Sequence, residues 1–314
     1  MEKAHGWKCT NRGYLLSLLS MSLEEQINLL FDLIEPARTA ENLGLLRDFR
    51  GALNRGEIRV AEPCAGGWKV NVWVKKGLLL HLKMGVLSEV PFEAAANAPG
   101  EGNKCFELDT FPVRRFLLED GIRLPPGGTY IRDGAYLAPG VTCMPPVFVN
   151  MGARAGAGSV LDSHSMVGLC AQIGERVHIG PGSQIGGMVI PFESLPVIIA
   201  DDVSVGGCCG IFGSVEIGCG AVLSPGTMLT ADSPVYDATR KEFLRPGENG
   251  LLSIPPAAIV MPGACPFSPA GGEFSPLMLQ AAVITSYRTS SGLGAASPPP
   301  GFPAGAFNGS AENR

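Results

Sequence analysis

The chain has little charge and few aromatic residues. Asp, Glu, Lys and Arg make up 17% of its 314 residues, and Phe, Trp and Tyr make up 7%. The formal net charge of -5 leaves no excess of basic side chains with which to bind polyanions. A general nucleic-acid binder or membrane-surface binder needs a basic face, so we expect neither nucleic acid nor a membrane among its partners.

Long apolar runs and paired cysteines are also missing. No apolar run approaches the ~18 residues needed to cross a bilayer. The nine cysteines show no CxxC spacing, which indicates reduced packing residues rather than a disulfide framework or a zinc site. The early run "YLLSLL" only weakly imitates a secretory signal. We therefore expect a cytoplasmic protein that requires no metal, with residues 1–20 as a poorly ordered extension; whether translation starts at Met1 or Met21 stays open.

Glycine and proline are abundant. The 42 Gly and 26 Pro indicate many tight turns and a mainly β architecture. Before the turn-rich part, residues 22–54 carry apolar side chains at helical spacing, interrupted by Pro36. Residues 57–84 alternate like a β-hairpin that leads into a buried apolar run, and residues 110–120 suggest a short helical or mixed piece. These patterns predict a small N-terminal α/β domain over residues 21–120.

From Ile131 the sequence repeats every six residues. The repeat runs in two blocks, separated by the insertion "IPFESLPV", which adds two residues beyond whole hexads. The first register holds aliphatic or small residues: Ile131, Leu137, Cys143, Val149, Ala155, Leu161, Val167, Ile173, Ile179, Ile185, Ile199, Val205, Ile211, Ile217, Leu223 and Leu229. The second register, four places later, holds small or β-branched residues: Ala135, Val141, Val147, Ala153, Ser159, Ser165, Ala171, Val177, Ser183 and Val189.

Such a hexad repeat is the signature of a parallel β-helix. Each hexad is one short strand plus a turn, and three hexads close a triangular coil of ~18 residues whose apolar row is buried only against neighbouring coils. We expect this β-helix over residues 121–232, with the two prolines of the insertion marking an excursion from the coil. Residues 233–288 are predicted to form an irregular coil and a final strand. Residues 289–314, rich in Gly, Ser, Pro and Ala, are predicted to be a disordered tail.

A filled prism has no internal pocket, so its sites must lie on the outer faces. The most natural place is a groove between copies packed around a threefold axis. Outward-pointing polar residues within the hexads are therefore the candidates: Arg123, Arg132, Asn150, Arg154, Asp162, His164, Arg176, His178, Glu216 and Asp232.

Several blocks of the sequence resemble one enzyme family in order and spacing. These are "GEIRVAEP…GGWKVNVWVKKGLLLHLKM" (57–84), "RLPPGGTYIRDGAYLAPGVTCMPP" (123–146), "VNMGA" (149–153), "LDSHSMVGLCAQIG" (161–174), "GSQIGGMVIPFESLPVIIADD" (182–202) and "PVYDATRKEF" (234–243). They resemble the tetrahydrodipicolinate N-succinyltransferases of the hexapeptide acyltransferase superfamily. The resemblance implies a left-handed β-helix, a homotrimer with sites at subunit contacts, and transfer of succinyl from succinyl-CoA, as co-substrate, to the amine of tetrahydrodipicolinate in the diaminopimelate route to lysine.

The resemblance also assigns site residues. Matching the "RLPP" block makes Arg123 the arginine that binds a substrate carboxylate. Matching the family's "DTW"-type block, which is "DSH" here, makes Asp162 the catalytic residue that contacts the substrate amine. Taken by themselves, Asp162 is a turn residue that accepts backbone N–H bonds and Arg123 is a solvated surface charge. His164 stands where relatives usually carry tryptophan. Because other hexapeptide acyltransferases use histidine as a base, His164 is a third candidate, beside a groove-lining or exposed role.

The chain departs from the family pattern at several positions. Where relatives carry "GARSEVVEG" this chain has "GGCCGIFGS", so Gly210 replaces a glutamate thought to assist proton transfer and Cys208 replaces an arginine. The loss of that carboxylate leaves open whether the family activity persists. Ile190 replaces the acidic residue of the family's "LEP" block. The lysine-rich C-terminal helix of the relatives is replaced by the sequence "AVITSYRTSSGLGAASPPP". The coenzyme phosphates would then be held by other cations, for which the candidates are Lys75, Lys76, Arg240 and Lys241.

The sequence is compatible with three functions. The first is an active succinyltransferase of diaminopimelate synthesis. The second is a CoA-dependent acyltransferase with a different acceptor, suggested by Gly210 and His164. The third is a catalytically silent trimeric β-helix scaffold, suggested by the altered site and tail.

Overall fold

The computed structural model describes residues 21–90, 105–266 and 277–288. The predicted extension at 1–20 and the predicted tail at 289–314 lie outside these residues. The described chain consists of three helices and two hairpins, followed by a column of short strands.

The N-terminal helices follow the apolar spacing of the sequence. They are α1 (Leu23–Phe31), α2 (Ala40–Asn54) and α3 (Val72–Met84). Helix α1 begins at a capping box, in which the Glu25 N–H donates to Ser22 Oγ at 3.2 Å and the Ser22 N–H donates to Glu25 Oε2 at 2.7 Å. The predicted interruption at Pro36 is confirmed, since it lies between α1 and α2.

Two small hairpins flank helix α3. Strands β1 (Ala61–Cys64) and β2 (Gly67–Val70) pair antiparallel, as predicted, and so do β3 (Leu87–Val90) and β4 (Cys105–Leu108). The buried apolar run after β2 forms the helix α3. Within the segment 110–120, only Leu118–Asp120 is helical, as one turn of 3-10 helix.

The hexads form sixteen short strands. Within this set, strands that lie three places apart pair in parallel, normally at an offset of 18 residues along the chain, so the strands stack into three sheets. The strands are β5 (Tyr130–Ile131), β6 (Tyr136–Leu137), β7 (Thr142–Cys143), β8 (Phe148–Val149), β9 (Arg154–Ala155), β10 (Val160–Leu161), β11 (Met166–Val167), β12 (Gln172–Ile173), β13 (His178–Ile179), β14 (Gln184–Ile185), β15 (Ile198–Ile199), β16 (Ser204–Val205), β17 (Gly210–Ile211), β18 (Val215–Ile217), β19 (Val222–Leu223) and β20 (Met228–Leu229).

The column is the predicted left-handed parallel β-helix. Its face 1 contains β7, β10, β13, β16 and β19; face 2 contains β5, β8, β11, β14, β17 and β20; face 3 contains β6, β9, β12, β15 and β18. All sixteen residues of the first register are buried in one continuous core. Nine of the ten residues of the second register are also buried, and Val189 is half-buried. The six-residue spacing therefore identified the interior of the prism.

The insertion leaves the coil, as its prolines predicted. Strand β12 pairs with β15 at an offset of 26 residues instead of 18. The side chain of Lys75 is fully buried beneath this excursion. Its ammonium donates to the carbonyl oxygens of Pro191 at 3.1 Å and Ser194 at 2.6 Å. Helix α3 thereby fixes the excursion to the N-terminal domain.

The C-terminal strands continue and then close the column. They are β21 (Val235–Asp237), β22 (Glu242–Leu244), β23 (Leu252–Ile254), β24 (Ala258–Pro266) and β25 (Met278–Tyr287). Strand β23 extends face 3 and β24 extends face 1. The predicted final strand is confirmed as β25, which folds back antiparallel on β24 and pairs with β21.

The N-terminal domain packs directly against the column. Its apolar core joins helix residues such as Phe49 and Leu78 with Met151 and Cys170 of the β-helix. An ion pair between Arg50 Nε and Asp133 Oδ2, at 2.8 Å, links α2 to the first coil. The hairpin β1–β2 covers part of face 3, where its Trp68 indole donates to Glu216 at 2.9 Å.

Candidate active site

Asp162 lies directly after β10, at the corner where the chain turns from face 1 to face 2. Its backbone N–H donates to the Ile179 carbonyl at 2.9 Å. Its Oδ1 accepts the Ser163 N–H at 2.7 Å, which is the turn contact expected of the residue taken by itself. This contact uses one carboxylate oxygen and leaves Oδ2 for another partner. The side chain is 27% exposed, so a ligand can reach it.

The second oxygen of Asp162 faces a histidine on the next coil. His178 Nε2 lies 3.6 Å from Asp162 Oδ2, and its side chain is 31% exposed. His178 projects outward from β13, which pairs with β10 through Val160 and His178. From its residue type His178 was only one of several outward polar residues. The length of the coil predicts its contact with Asp162. An 18-residue coil stacks residue 178 on residue 160, which lies two places before Asp162.

Arg123 lies on the same side of the column as Asp162 but does not touch it. Its backbone bridges to Thr142 of β7, one coil before β10. Its guanidinium is exposed and lies 3.6 Å from the sulfur of Met144. Met144 in turn donates its N–H to the Leu161 carbonyl, so it occupies the coil between Arg123 and Asp162. Within the described ranges Arg123 has no carboxylate partner, which leaves its charge for an anionic ligand.

His164 lies on the other side of the same corner. It adopts φ of 63°, and its N–H donates to the Pro146 carbonyl at 2.6 Å. Its exposed imidazole borders a cavity of about 310 Å³ on face 2, which Phe148 and Met166 also line. Among the hydrogen bonds of the described residues none joins His164 to Asp162. The geometry therefore groups Asp162 with His178 rather than with His164.

On the next two coils the position equivalent to Asp162 is a glycine. Gly180 and Gly206 occupy the positions equivalent to Asp162 on successive coils, after β13 and β16. A Cβ built on Gly180 would lie 2.6 Å from the carbonyl carbon of Gly206, so no other residue fits. The backbones of neighbouring coils therefore approach closely at this position, beside the exposed Pro181 and Cys208.

The space beside Gly210 is already filled. A Cβ on Gly210 would meet the Met228 methyl group at 2.4 Å and the Phe212 ring at 2.7 Å. An acidic side chain at this position would require both to move. Within the described part of the chain, the carboxylate beside this corner is that of Asp162.

Three of the four cations suggested for the coenzyme phosphates have other partners in the structure. The hypothesis for Lys75 is wrong, because its ammonium is fully buried beneath the excursion. Lys76 donates to Asn28 at 3.0 Å and lies 3.7 Å from Asp32. Arg240 lies 3.6 Å from the buried Asp237. Lys241 is exposed, with φ of 60°.

Membrane-spanning helices and metal-binding groups are both absent from the described residues. None of their helices is long and apolar enough to cross a membrane. They also contain no group of three or more His, Cys, Asp or Glu side chains arranged to hold a metal ion.

Comparison with known proteins places the chain in one family. A family model described as tetrahydrodipicolinate N-succinyltransferase N-terminal matches residues 22–84. The 2,3,4,5-tetrahydropyridine-2,6-dicarboxylate N-succinyltransferase of Nitrobacter winogradskyi is 37% identical over 268 residues, covering 84% of this chain and 92% of that protein. The chain belongs to the tetrahydrodipicolinate N-succinyltransferase family. Family members of the same name from Nitrobacter hamburgensis and Afipia carboxidovorans are 37% and 34% identical, each covering 79% of this chain and 86% of the relative.

Solved structures with a partial likeness include acetyltransferases. A hexapeptide-repeat acetyltransferase from Vibrio cholerae matches with 21% identity and a TM-score of 0.27, covering 38% of this chain and 65% of that one. A serine acetyltransferase from Neisseria gonorrhoeae matches with 18% identity and a TM-score of 0.19, covering 47% and 42%. The fold of the family member described here is established by its own strand pairing.

Proposed function

We propose that this protein transfers succinyl from succinyl-CoA to the amine of tetrahydrodipicolinate, in its ring-opened form 2-amino-6-oxopimelate, in the diaminopimelate route to lysine. The observation that carries the proposal is the 37% identity to a named succinyltransferase over 92% of that relative's length. The accessible Asp162–His178 pair supports it, because amide formation requires a group that removes a proton from the attacking nitrogen.

The proposed mechanism uses three side chains. Arg123 binds a carboxylate of the acceptor through its guanidinium fork, which suits that planar anion. Asp162 receives the acceptor amine and orients the imidazole of His178. The ammonium loses one proton to solvent as the neutral amine forms and attacks the thioester carbonyl, making the new C–N bond. His178 accepts a second proton from that nitrogen and returns it to the departing thiolate as the C–S bond breaks.

The position of the site on an outer corner supports a shared site between subunits. We propose a homotrimer, in which a neighbouring column would cover the Asp162 corner and shield it from water. We also propose that the enzyme works in the cytoplasm, where succinyl-CoA is available. Asp162 is proposed as the catalytic residue, Arg123 and Asp162 as substrate-binding residues, and His164 as a further groove residue.

The test is release of free thiol from succinyl-CoA in the presence of tetrahydrodipicolinate. We expect thiol release that depends on both substrates in the full-length protein. If the complete reaction releases no more thiol than reactions that lack one substrate, the proposal is contradicted. The remaining functions would then be an acyltransferase with a different acceptor and a silent scaffold. Asp162→Asn is the test variant, since its amide oxygen can still accept the Ser163 N–H while the negative charge that receives the amine is lost. We expect this variant to fold normally and to lose at least about 100-fold in turnover.

A further inference from the structure

A second groove lies on face 3, away from the Asp162 corner. Its volume is about 500 Å³, and it is bounded on one side by the β1–β2 hairpin, through Pro63 and Trp68. The small residues Gly156 and Gly174 form its opposite side, at the corner between faces 3 and 1. We call this space the face-3 groove. The mechanism proposed above does not use this groove, and two arginines line it.

Arg154 enters the face-3 groove from strand β9. It projects outward between Tyr136 on the previous coil and Gln172 on the next. Its guanidinium lies 4.1 Å from the centroid of the Tyr136 ring, so one face of the cation is stacked. The fork of N–H donors at the edge of the guanidinium is not used by this stacking.

Arg59 enters the same groove from the N-terminal domain. Its Nε donates to Gln172 Oε1 at 3.3 Å, and its guanidinium carbon lies 5.6 Å from the Trp68 ring centroid. Because Gln172 and Arg154 are direct partners on neighbouring strands, about 4.8 Å apart, the two arginines converge on one place. One arginine belongs to each domain.

The face-3 groove also contains the carboxylates of Glu175 and Asp201, which are held by partners other than the two arginines. In the described ranges neither Arg59 nor Arg154 forms an ion pair. The carboxylate of Glu175 pairs with Arg176 at 2.9 Å, and that of Asp201 accepts the Glu175 N–H at 2.8 Å. Burial, and then the nearby charge of Arg154, lower the pKa of Arg59 to about 10, while the charge of Glu62 raises it by a smaller amount. A bound anion would offset both the burial of Arg59 and its repulsion from Arg154.

We propose that the face-3 groove binds a phosphate group held by Arg59 and Arg154. Two guanidinium groups match the charge of a phosphate dianion and can each donate two parallel hydrogen bonds to its oxygens. The groove is larger than one phosphate ion, and its Gly156–Gly174 side leaves room for an attached chain. The same chemistry is offered by free phosphate and by the phosphorylated end of CoA; the second source rests on the proposed function.

The test is isothermal titration calorimetry on the full-length protein in phosphate-free buffer. Inorganic phosphate, CoA and pantetheine are titrated separately into the wild type, Arg59→Met and Arg154→Met. We expect each variant to weaken phosphate binding about tenfold. Arg55→Met is the matched control, because Arg55 is exposed and already paired with Glu57 at 2.6 Å. It should bind phosphate as the wild type does.

The outcomes separate the two sources. If the variants weaken phosphate binding and leave CoA binding unchanged, the ligand is free phosphate or another small phosphate. If they also weaken CoA binding about tenfold and leave pantetheine unaffected, the groove holds the coenzyme phosphates. Phosphate and CoA affinities that are independent of both arginines would overturn the inference.

Two further measurements keep the test decisive. Circular dichroism checks that each variant is folded. If Arg59→Met fails to fold after losing its contacts to Gln172 and Trp68, Arg154→Gln on the rigid column carries the same prediction. Thiol release is assayed in parallel on the wild type. An absence of thiol release would reject the proposed function, whereas the phosphate titration would still decide the inference about the groove.

Discussion

At the scale of single residues, Asp162 shows how one side chain serves the fold and the chemistry together. Its Oδ1 closes the corner through the Ser163 N–H, and its Oδ2 faces His178. The turn contact fixes the carboxylate without covering it. The structural role expected from the residue type and the catalytic role implied by the family are therefore compatible.

His178 provides the first prediction. In the proposed mechanism its imidazole moves the proton of the attacking amine, which glutamine cannot do. We expect His178→Gln to lower kcat about 100-fold with little change in the KM for succinyl-CoA. Steady-state thiol release measures both constants.

The groups around His178 define the control for that experiment. Its charged neighbours are Asp162, and Arg176 on the preceding turn, which is paired with Asp202 at 2.7 Å. Ser204 is its partner on the next coil of face 1. Ser204→Ala should therefore leave both constants unchanged. An unchanged kcat in His178→Gln would remove His178 from the mechanism.

His81 provides a second prediction, concerning stability. The ring is fully buried against Phe49, and its nitrogens lie 2.8 Å from the Gly77 carbonyl and 3.2 Å from the Leu46 carbonyl. Burial lowers the pKa of His81 from 6.5 to about 4. Below pH 6.5 the unfolded chain binds a proton that the folded chain excludes, so stability falls as the pH is lowered from 6.5 to about 4.

The size of this effect can be measured directly. We expect the buried imidazole to account for a loss of about 3 kcal/mol in the free energy of unfolding over this range. Urea unfolding between pH 4.5 and 7.5 tests it. His81→Gln should be less stable at pH 7.5 but show a flatter pH dependence. Equal slopes for the variant and the wild type would show that another group is responsible.

At the scale of elements, the corner glycines make the coil possible. A Cβ on Gly180 would lie 2.6 and 2.7 Å from backbone atoms of Gly206 and Gly207, which cannot rotate away. We expect Gly180→Ala to lower the free energy of unfolding by about 1–3 kcal/mol. Chemical denaturation measures the change.

The same substitution on a helix gives the opposite sign. Gly44 lies within α2, and a Cβ there meets only Arg47 Nη2, at an ordinary 3.8 Å. Gly44→Ala should therefore stabilise the protein by about 0.5–1 kcal/mol. A Gly180→Ala protein as stable as Gly44→Ala would contradict the steric account of the corner.

The elements themselves were largely predictable from the sequence. The register from Ile131 to Leu229 located the core of the column, because a six-residue spacing has one geometric solution. The spacing could not show that Lys75 is buried, because its two acceptors come from the excursion, which has no periodicity. The Asp162–His178 contact could be predicted from the sequence, since it follows from the 18-residue coil. The convergence of Arg59 and Arg154 could not be predicted, since it depends on how the hairpin docks on face 3.

At the scale of the whole molecule, the proposed trimer makes a further prediction. A site on an outer corner gains a second wall only when another copy packs beside it. Sedimentation velocity of the full-length protein should give a mass three times that of the chain. A monomer that releases thiol at the wild-type rate would show that the corner is sufficient by itself.

The return of β25 along β24 also governs how copies can meet. A stack of parallel strands normally ends in a row of unpaired N–H and C=O groups, onto which another molecule can add. On face 1 that row is occupied by β25 and β21, and the sheet ends at the three-residue strand β22, whose Glu242 is charged. End-to-end growth into filaments is thereby blocked on this face. Association is directed to the flanks of the column, where closed particles of fixed size can form.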